Sequence, residues 1–207
     1  MDPDYRKYDV TRFFDFTEED EKLITKAYDR LSESYSVSVV DIKDSPYQQF
    51  SSHNIYPLFI PQICYLVQER SQNNSFYLFI VSKVGVNSKG GHLERKYDTI
   101  QLWGLKNLDE DFGYISINKK KLIDKIAGIF SSFNVNFTDS EFKDFYVIGN
   151  DKFKIMNFLN PKRKEIIKNF PNENFKLEVK NNILSFGLPE ILTIENAEII
   201  SKFLNDI

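Results

Sequence analysis

Leu23, Ile24, Ala27, Tyr28 and Leu31 recur at the three- and four-residue spacing of one helix face. They predict an amphipathic helix over about 17–33. Thr17 stands where a cap is needed, and Glu18, Glu19, Asp20 and Glu21 fill the first turn, where the helix dipole favours negative charge. The β-branched run Val37–Ile42 predicts a strand. Pro46, Pro57 and Pro61 then punctuate 45–61, which reads as a loop with at most short strands. Gln62–Arg70, Phe76–Val86 and Tyr97–Trp103 predict an antiparallel meander. Its turns fall at Ser71-Gln72-Asn73-Asn74 and Asn87–Gly91. Asp109-Glu110-Asp111 is a polar turn before a strand at Phe112–Ile117. Asn118 reads as the cap of a helix that starts with Lys119-Lys120-Lys121 and buries Leu122, Ile123, Ile126, Ala127, Ile129 and Phe130.

The stretch Asn134–Pro161 agrees with itself at every level. Val135 and Phe137 alternate as in a short strand, and Asp139-Ser140 makes a turn. Phe145, Tyr146, Val147 and Ile148 form a second strand that ends at Gly149-Asn150. Asn150 or Asp151 caps a short helix whose apolar positions are Phe153, Ile155, Met156 and Leu159. Pro161 fits the first position of a further helix capped by Asn160, with Ile166, Ile167 and Phe170 inward and Pro171 beyond its end. Phe175, Leu177 and Val179 alternate into an Asn181-Asn182 turn, and Ile183–Gly187 pairs back. A last helix runs from about Asn196 to Asn205 on Ile199, Ile200, Phe203 and Leu204. The fold class is therefore α+β: an antiparallel sheet of about five to seven strands packed against four or five helices. One domain covers 1–207, and the one candidate boundary lies near 106–111.

The order of a strand ending Asn136-Phe137, then Asp139-Ser140-Glu141-Phe142, Phe145-Tyr146-Val147, Asn150-Asp151 and Phe158-Leu159-Asn160-Pro161 resembles an uncharacterised family of bacterial domains of unknown function. The resemblance covers about Phe112–Ile191. It implies an aromatic-rich strand, an acidic turn, a second strand and a short helix before a proline. Some members carry membrane-spanning segments upstream of the soluble domain. The resemblance implies no catalytic residue.

Composition narrows the functional classes. Apolar residues make up 42% of the 207, enough for a core that buries roughly 70% of the unfolded surface without disulfides or metal. The lone cysteine, Cys64, forbids an internal disulfide and fits a reducing compartment, so a cytoplasmic location is expected, with a position peripheral to a membrane as the alternative. Met1–Phe16 lacks the basic start and apolar run of a secretory signal, and no apolar run is long enough for a transmembrane segment. The net charge of −3 is segregated: residues 1–60 carry −5 and residues 118–170 carry +5. The pI near 5.5 and the lack of a recognition motif argue against nucleic acid.

Candidate chemistry is sparse. His92 and Glu94 share a strand face, but two ligands do not close a metal site. His53 has no nearby carboxylate, and Cys64 sits between Ile63 and Tyr65 in a strand, where a buried thiol is the ordinary reading. Asp109-Glu110-Asp111 lacks the spacing of a calcium loop, and phosphate-loop, dinucleotide-fingerprint and nucleophile-elbow motifs are absent. No cofactor is indicated. What remains is two basic groups at expected helix starts: Lys119, Lys120 and Lys121, and Lys162, Arg163 and Lys164. Helix starts combine such cations with free N–H groups, so these six are the candidate contacts for an anion or partner. The leading expectation is a non-catalytic interaction module that binds a protein or membrane-associated partner. The alternatives are an enzyme or small-ligand binder with a pocket built from distant residues, and a structural subunit that forms a symmetric dimer.

Overall fold

The computed structural model describes residues 16–50, 59–71, 74–89, 92–120 and 142–207, with backbone alone at 49–50, 59, 83–89 and 92–98. α1 (Glu18–Ser34) starts at a capping box in which Thr17 and Asp20 bond reciprocally. β1 (Tyr35–Val40) leads into a single 3-10 turn (Ile42–Asp44) and one turn of helix, α2 (Tyr47–Phe50). β2 (Phe59–Glu69), β3 (Ser75–Lys89) and β4 (His92–Asn107) make the expected meander, and β5 (Tyr114–Lys119) follows. β6 (Phe145–Gly149), α3 (Lys152–Phe158) and α4 (Pro161–Lys168) precede the hairpin β7 (Lys176–Lys180) and β8 (Ile183–Gly187). α5 (Ile194–Asp206), capped by Thr193, is the last element.

The eight strands among the described residues join one antiparallel sheet in the order β1-β2-β3-β4-β8-β7-β5-β6. The C-terminal hairpin thus slots between β4 and β5 and welds the meander to the later strands. Asn181, with φ of 58°, makes its tight turn, a conformation that asparagine tolerates. One sheet face carries the main core. Tyr65, Val67, Phe76, Leu78, Ile80, Leu102, Ile115, Ile117, Leu177, Val179, Leu184 and Phe186 pack there against Ile24, Ala27 and Leu31 of α1 and Ala197, Ile200, Phe203 and Leu204 of α5. Phe186 stacks on Phe203 at 3.6 Å between ring centroids, and Phe170 meets Phe175, Phe186 and Phe203 edge-on. Such pairs add about 0.5–1.5 kcal/mol each beyond the area they bury. The opposite face holds a smaller cluster of Cys64, Phe79, Val81, Leu105 and Ile183, backed by Ile42 and Tyr47 from the segment after β1.

Among the described residues the sheet has eight strands, above the expected five to seven, because β1, the meander and both later pairs share one ladder. β3 and β4 also run further than expected: Asn87 pairs with Glu94 and Lys89 with His92, so 87–89 belongs to strand rather than turn. Pro61 lies within β2 at a register shift, where β1 has already ended and β3 is the one neighbour among the described strands. Asn118 and Lys119 belong to β5 and pair with Tyr146 and Phe145, so the expected cap and first helical residue are strand. The expected helix Leu122–Phe130, the strand at Val135–Phe137, the turn at Asp139-Ser140 and His53 lie outside the described residues.

Candidate functional site

A cleft of about 620 Å³ lies between the loop after β4 and the α3–α4 pair. Asp109, Glu110 and Phe112 form one side; Met156, Asn157, Leu159, Asn160, Pro161, Arg163 and Lys164 form the other. The loop is held by backbone hydrogen bonds to the β7–β8 turn: Leu108 N donates to Asn182 O (2.7 Å), Phe112 N to Asn181 O (2.9 Å), and Asn181 N to Gly113 O (2.7 Å). Phe112 is buried, so its ring forms the floor while the exposed Asp109 and Glu110 form the rim. Asp111 accepts from Gly113 N (2.7 Å) and Lys154 Nζ (3.0 Å), which ties the loop to α3 and holds its carboxyl below the ordinary range.

α3 is short and well seated. Asp151 accepts from Phe153 N and Lys154 N, satisfying two of the free donors of the first turn. Ile155 presses onto Gly149, where a Cβ would lie 2.7 Å from its Cδ1 and from Tyr114 O. Phe158 packs edge-on against Phe112 at 5.3 Å. After Leu159 the chain turns, Asn160 accepts from Arg163 N (2.9 Å), and Pro161 occupies the first turn of α4.

Arg163 fastens the corner. Its guanidinium lies 4.9 Å from the Phe158 ring centroid and 5.2 Å from that of Phe112. Its Nε donates to Ile207 O and its Nη1 to Phe158 O, each at 3.4 Å. Burial lowers its pKa while Glu110 and Asp109 raise it, so the acidic rim partly offsets the cost of the buried cation. Beneath α5, Lys106 Nζ donates to Leu204 O (2.8 Å). Burial, with Lys162 and Arg163 nearby, pulls that amine down to about 8.

Two apolar side chains stand out against this setting: Phe153 is 83% exposed and Met156 is 53% exposed. They are three residues apart, so both lie on the outer face of α3, and Met156 lines the cleft. The sequence reading counts Phe153 and Met156, with Ile155 and Leu159, as the apolar positions of this helix. In the structure the apolar positions divide: Ile155, Phe158 and Leu159 are buried, whereas Phe153 and Met156 are not.

The five basic candidates among the described residues do not form one patch. Arg163 sits over the Phe112 ring, near the start of β5, with Lys162 and Lys164 as its neighbours in α4. Lys119 is the last residue of β5 and pairs with Glu173. Five strand steps separate Tyr114 from Lys119, about 17 Å. Lys120 gives its N–H to Asp144 O and its Nζ to Lys143 O, and lies 5.1 Å from the Tyr146 ring centroid. Lys121 lies outside the described residues. Cys64 is fully buried, and burial pushes its thiol up to about 12, which removes it as a nucleophile at neutral pH. Among the described residues no three His, Cys, Asp or Glu side chains gather as a metal site. No helix among them is long and apolar enough to cross a membrane.

No protein-family model matches the chain, and no curated protein and no solved structure matches it.

Proposed function

We propose that the chain is a non-catalytic interaction module and that its partner, a protein or a membrane-associated component, docks on the α3–α4 face. One observation carries this reading: a phenylalanine that is 83% exposed and a methionine that is 53% exposed share the outer face of a well-capped helix, beside a cleft with charged walls. Single exposed apolar residues are ordinary, but an adjacent aromatic–methionine pair at a polar-rimmed cleft has the make-up of an interface centre. Methionine is also the side chain that adapts most readily to a partner's shape. The resemblance over Phe112–Ile191 supports the membrane-associated form of the reading, since some members of that family carry upstream spans.

A photo-crosslinking residue at position 153, in the full chain inside its own cells, tests this. The expected result is one adduct of defined mass from position 153 and none from position 22 on exposed α1. Equal, diffuse labelling from both positions overturns the reading. The competing reading, an enzyme or small-ligand binder, predicts a thermal shift of several degrees with a defined metabolite and no adduct.

A further inference from the structure

The chain holds one cysteine and two methionines. Cys64 is fully buried, out of reach of an oxidant in solvent, and its thiol is pushed up to about 12. Met1 lies outside the described residues. Met156 is 53% exposed, lines the cleft, and stands three residues from Phe153 on the outer face of α3. Among the described residues it is therefore the one sulfur that solvent reaches, and it sits on the face read above as a docking surface. The helix does not depend on it. Ile155 and Phe158, both fully buried, seat α3, and the Asp151 cap holds its first turn.

We propose that Met156 is a reversible oxidation site, at which a hydroperoxide converts the thioether to a sulfoxide and so weakens docking on the α3–α4 face; this rests on the reading of that face as a docking surface. With hydrogen peroxide as the oxidant, a sulfur lone pair attacks one peroxide oxygen. The S–O bond forms as the O–O bond breaks, and the proton of the attacked oxygen passes to the leaving hydroxide, which departs as water. Sulfur gives up two electrons and the peroxide takes them. A dithiol-dependent sulfoxide reductase reverses the change: its two thiols close to a disulfide and the oxygen leaves as water. The effect of the added oxygen is one-sided. A thioether is apolar and adapts to a partner's shape, whereas a sulfoxide is polar and accepts hydrogen bonds. In the chain alone the oxygen stands in water, in a cleft that Asn157 and Asn160 also line, so the fold keeps its stability. Under a partner the same oxygen must shed its water beside Phe153, which costs affinity wherever no donor meets it.

Two readouts on the full chain test this: peptide mass after hydrogen peroxide treatment of the purified protein, and the crosslink from position 153 in cells before and after a hydrogen peroxide pulse. In the folded protein Met156 should gain one oxygen within a few-fold of its rate in the urea-unfolded chain, with the urea midpoint unchanged. In cells the adduct from position 153 should fall several-fold after the pulse and recover once the peroxide is gone. Met156→Leu should keep the adduct through the pulse. Met156→Gln, which fixes a polar group at the site, should give a weak adduct without any peroxide. Slow oxidation of Met156 in the fold, an adduct that peroxide leaves unmoved or that never recovers, or one lost equally in Met156→Leu overturns the oxidation site and leaves the docking reading standing. No adduct from position 153 under any condition overturns both.

Discussion

Replacing Arg163 with alanine removes the clasp that joins α4 to the loop after β4. Its guanidinium lies 5.2 and 4.9 Å from the Phe112 and Phe158 ring centroids. Each such contact contributes about 0.5–1 kcal/mol where the cation is partly exposed. Its bonds to Ile207 O and Phe158 O, both 3.4 Å, lie beyond the usual range, so each counts for about half of the typical 1 kcal/mol. The partial burial that lowers its pKa is a cost that disappears with the side chain. The balance is a loss of about 1.5–2 kcal/mol. Arg163→Lys keeps the charge but not the planar stacking or the forked donors, and should lose about 1 kcal/mol. Urea unfolding reads both: the midpoint should fall while the slope m stays constant. A loss under about 0.5 kcal/mol for alanine, or a lysine variant as stable as the original, refutes the stacked-clasp account.

Gly187→Ala should cost about 1–3 kcal/mol by overpacking, since the new Cβ would lie 2.6–3.0 Å from three atoms of the Trp103 indole; the emission of this single tryptophan should shift, and an unmoved spectrum contradicts the geometry. Lys106 carries a pH signature. Its amine is held near 8 in the fold against about 10.4 in the unfolded chain. The unfolded chain therefore takes up the proton first as pH falls, so the penalty is full below about 8 and fades as pH rises toward 10.4. The stability of the original chain relative to Lys106→Met should improve across that window, and a pH-independent difference contradicts it. The Cys64 thiol should resist a thiol reagent at pH 8 until urea unfolds the chain, and rapid labelling of the native protein would contradict its burial.

The sequence exposed most of the fold wherever a local rule acts alone. Thr17 and the acidic turn after it gave α1 within a residue, Asn160-Pro161 gave the start of α4, and Asn181-Asn182 gave the β7–β8 turn. It misled where two local rules compete. Asn118 is a good cap before a lysine run, but Ile115 and Ile117 already alternate with Ser116 and Asn118, and pairing with β6 carries the strand through Lys119. The position of the β7–β8 hairpin between β4 and β5 is set by long-range pairing and has no local signature. The candidate site was the least legible part. In the seven residues of α3, apolar side chains point in every direction, so no period separates the inward Ile155 and Phe158 from the outward Phe153 and Met156. The signal that was present is arithmetic: two turns of helix between Asp151 and Pro161 cannot bury Phe153, Ile155, Met156, Phe158 and Leu159 against a single sheet face.

If a partner docks on the α3–α4 face, as proposed, it covers the outer face of α3. Amide hydrogen exchange of the full chain, in a lysate of its own cells and again after purification and dilution, measures this most directly. Slower exchange is expected in the lysate across α3 and the loop at 109–112, with α1 and β7–β8 unchanged. Identical exchange of α3 in both conditions would contradict it.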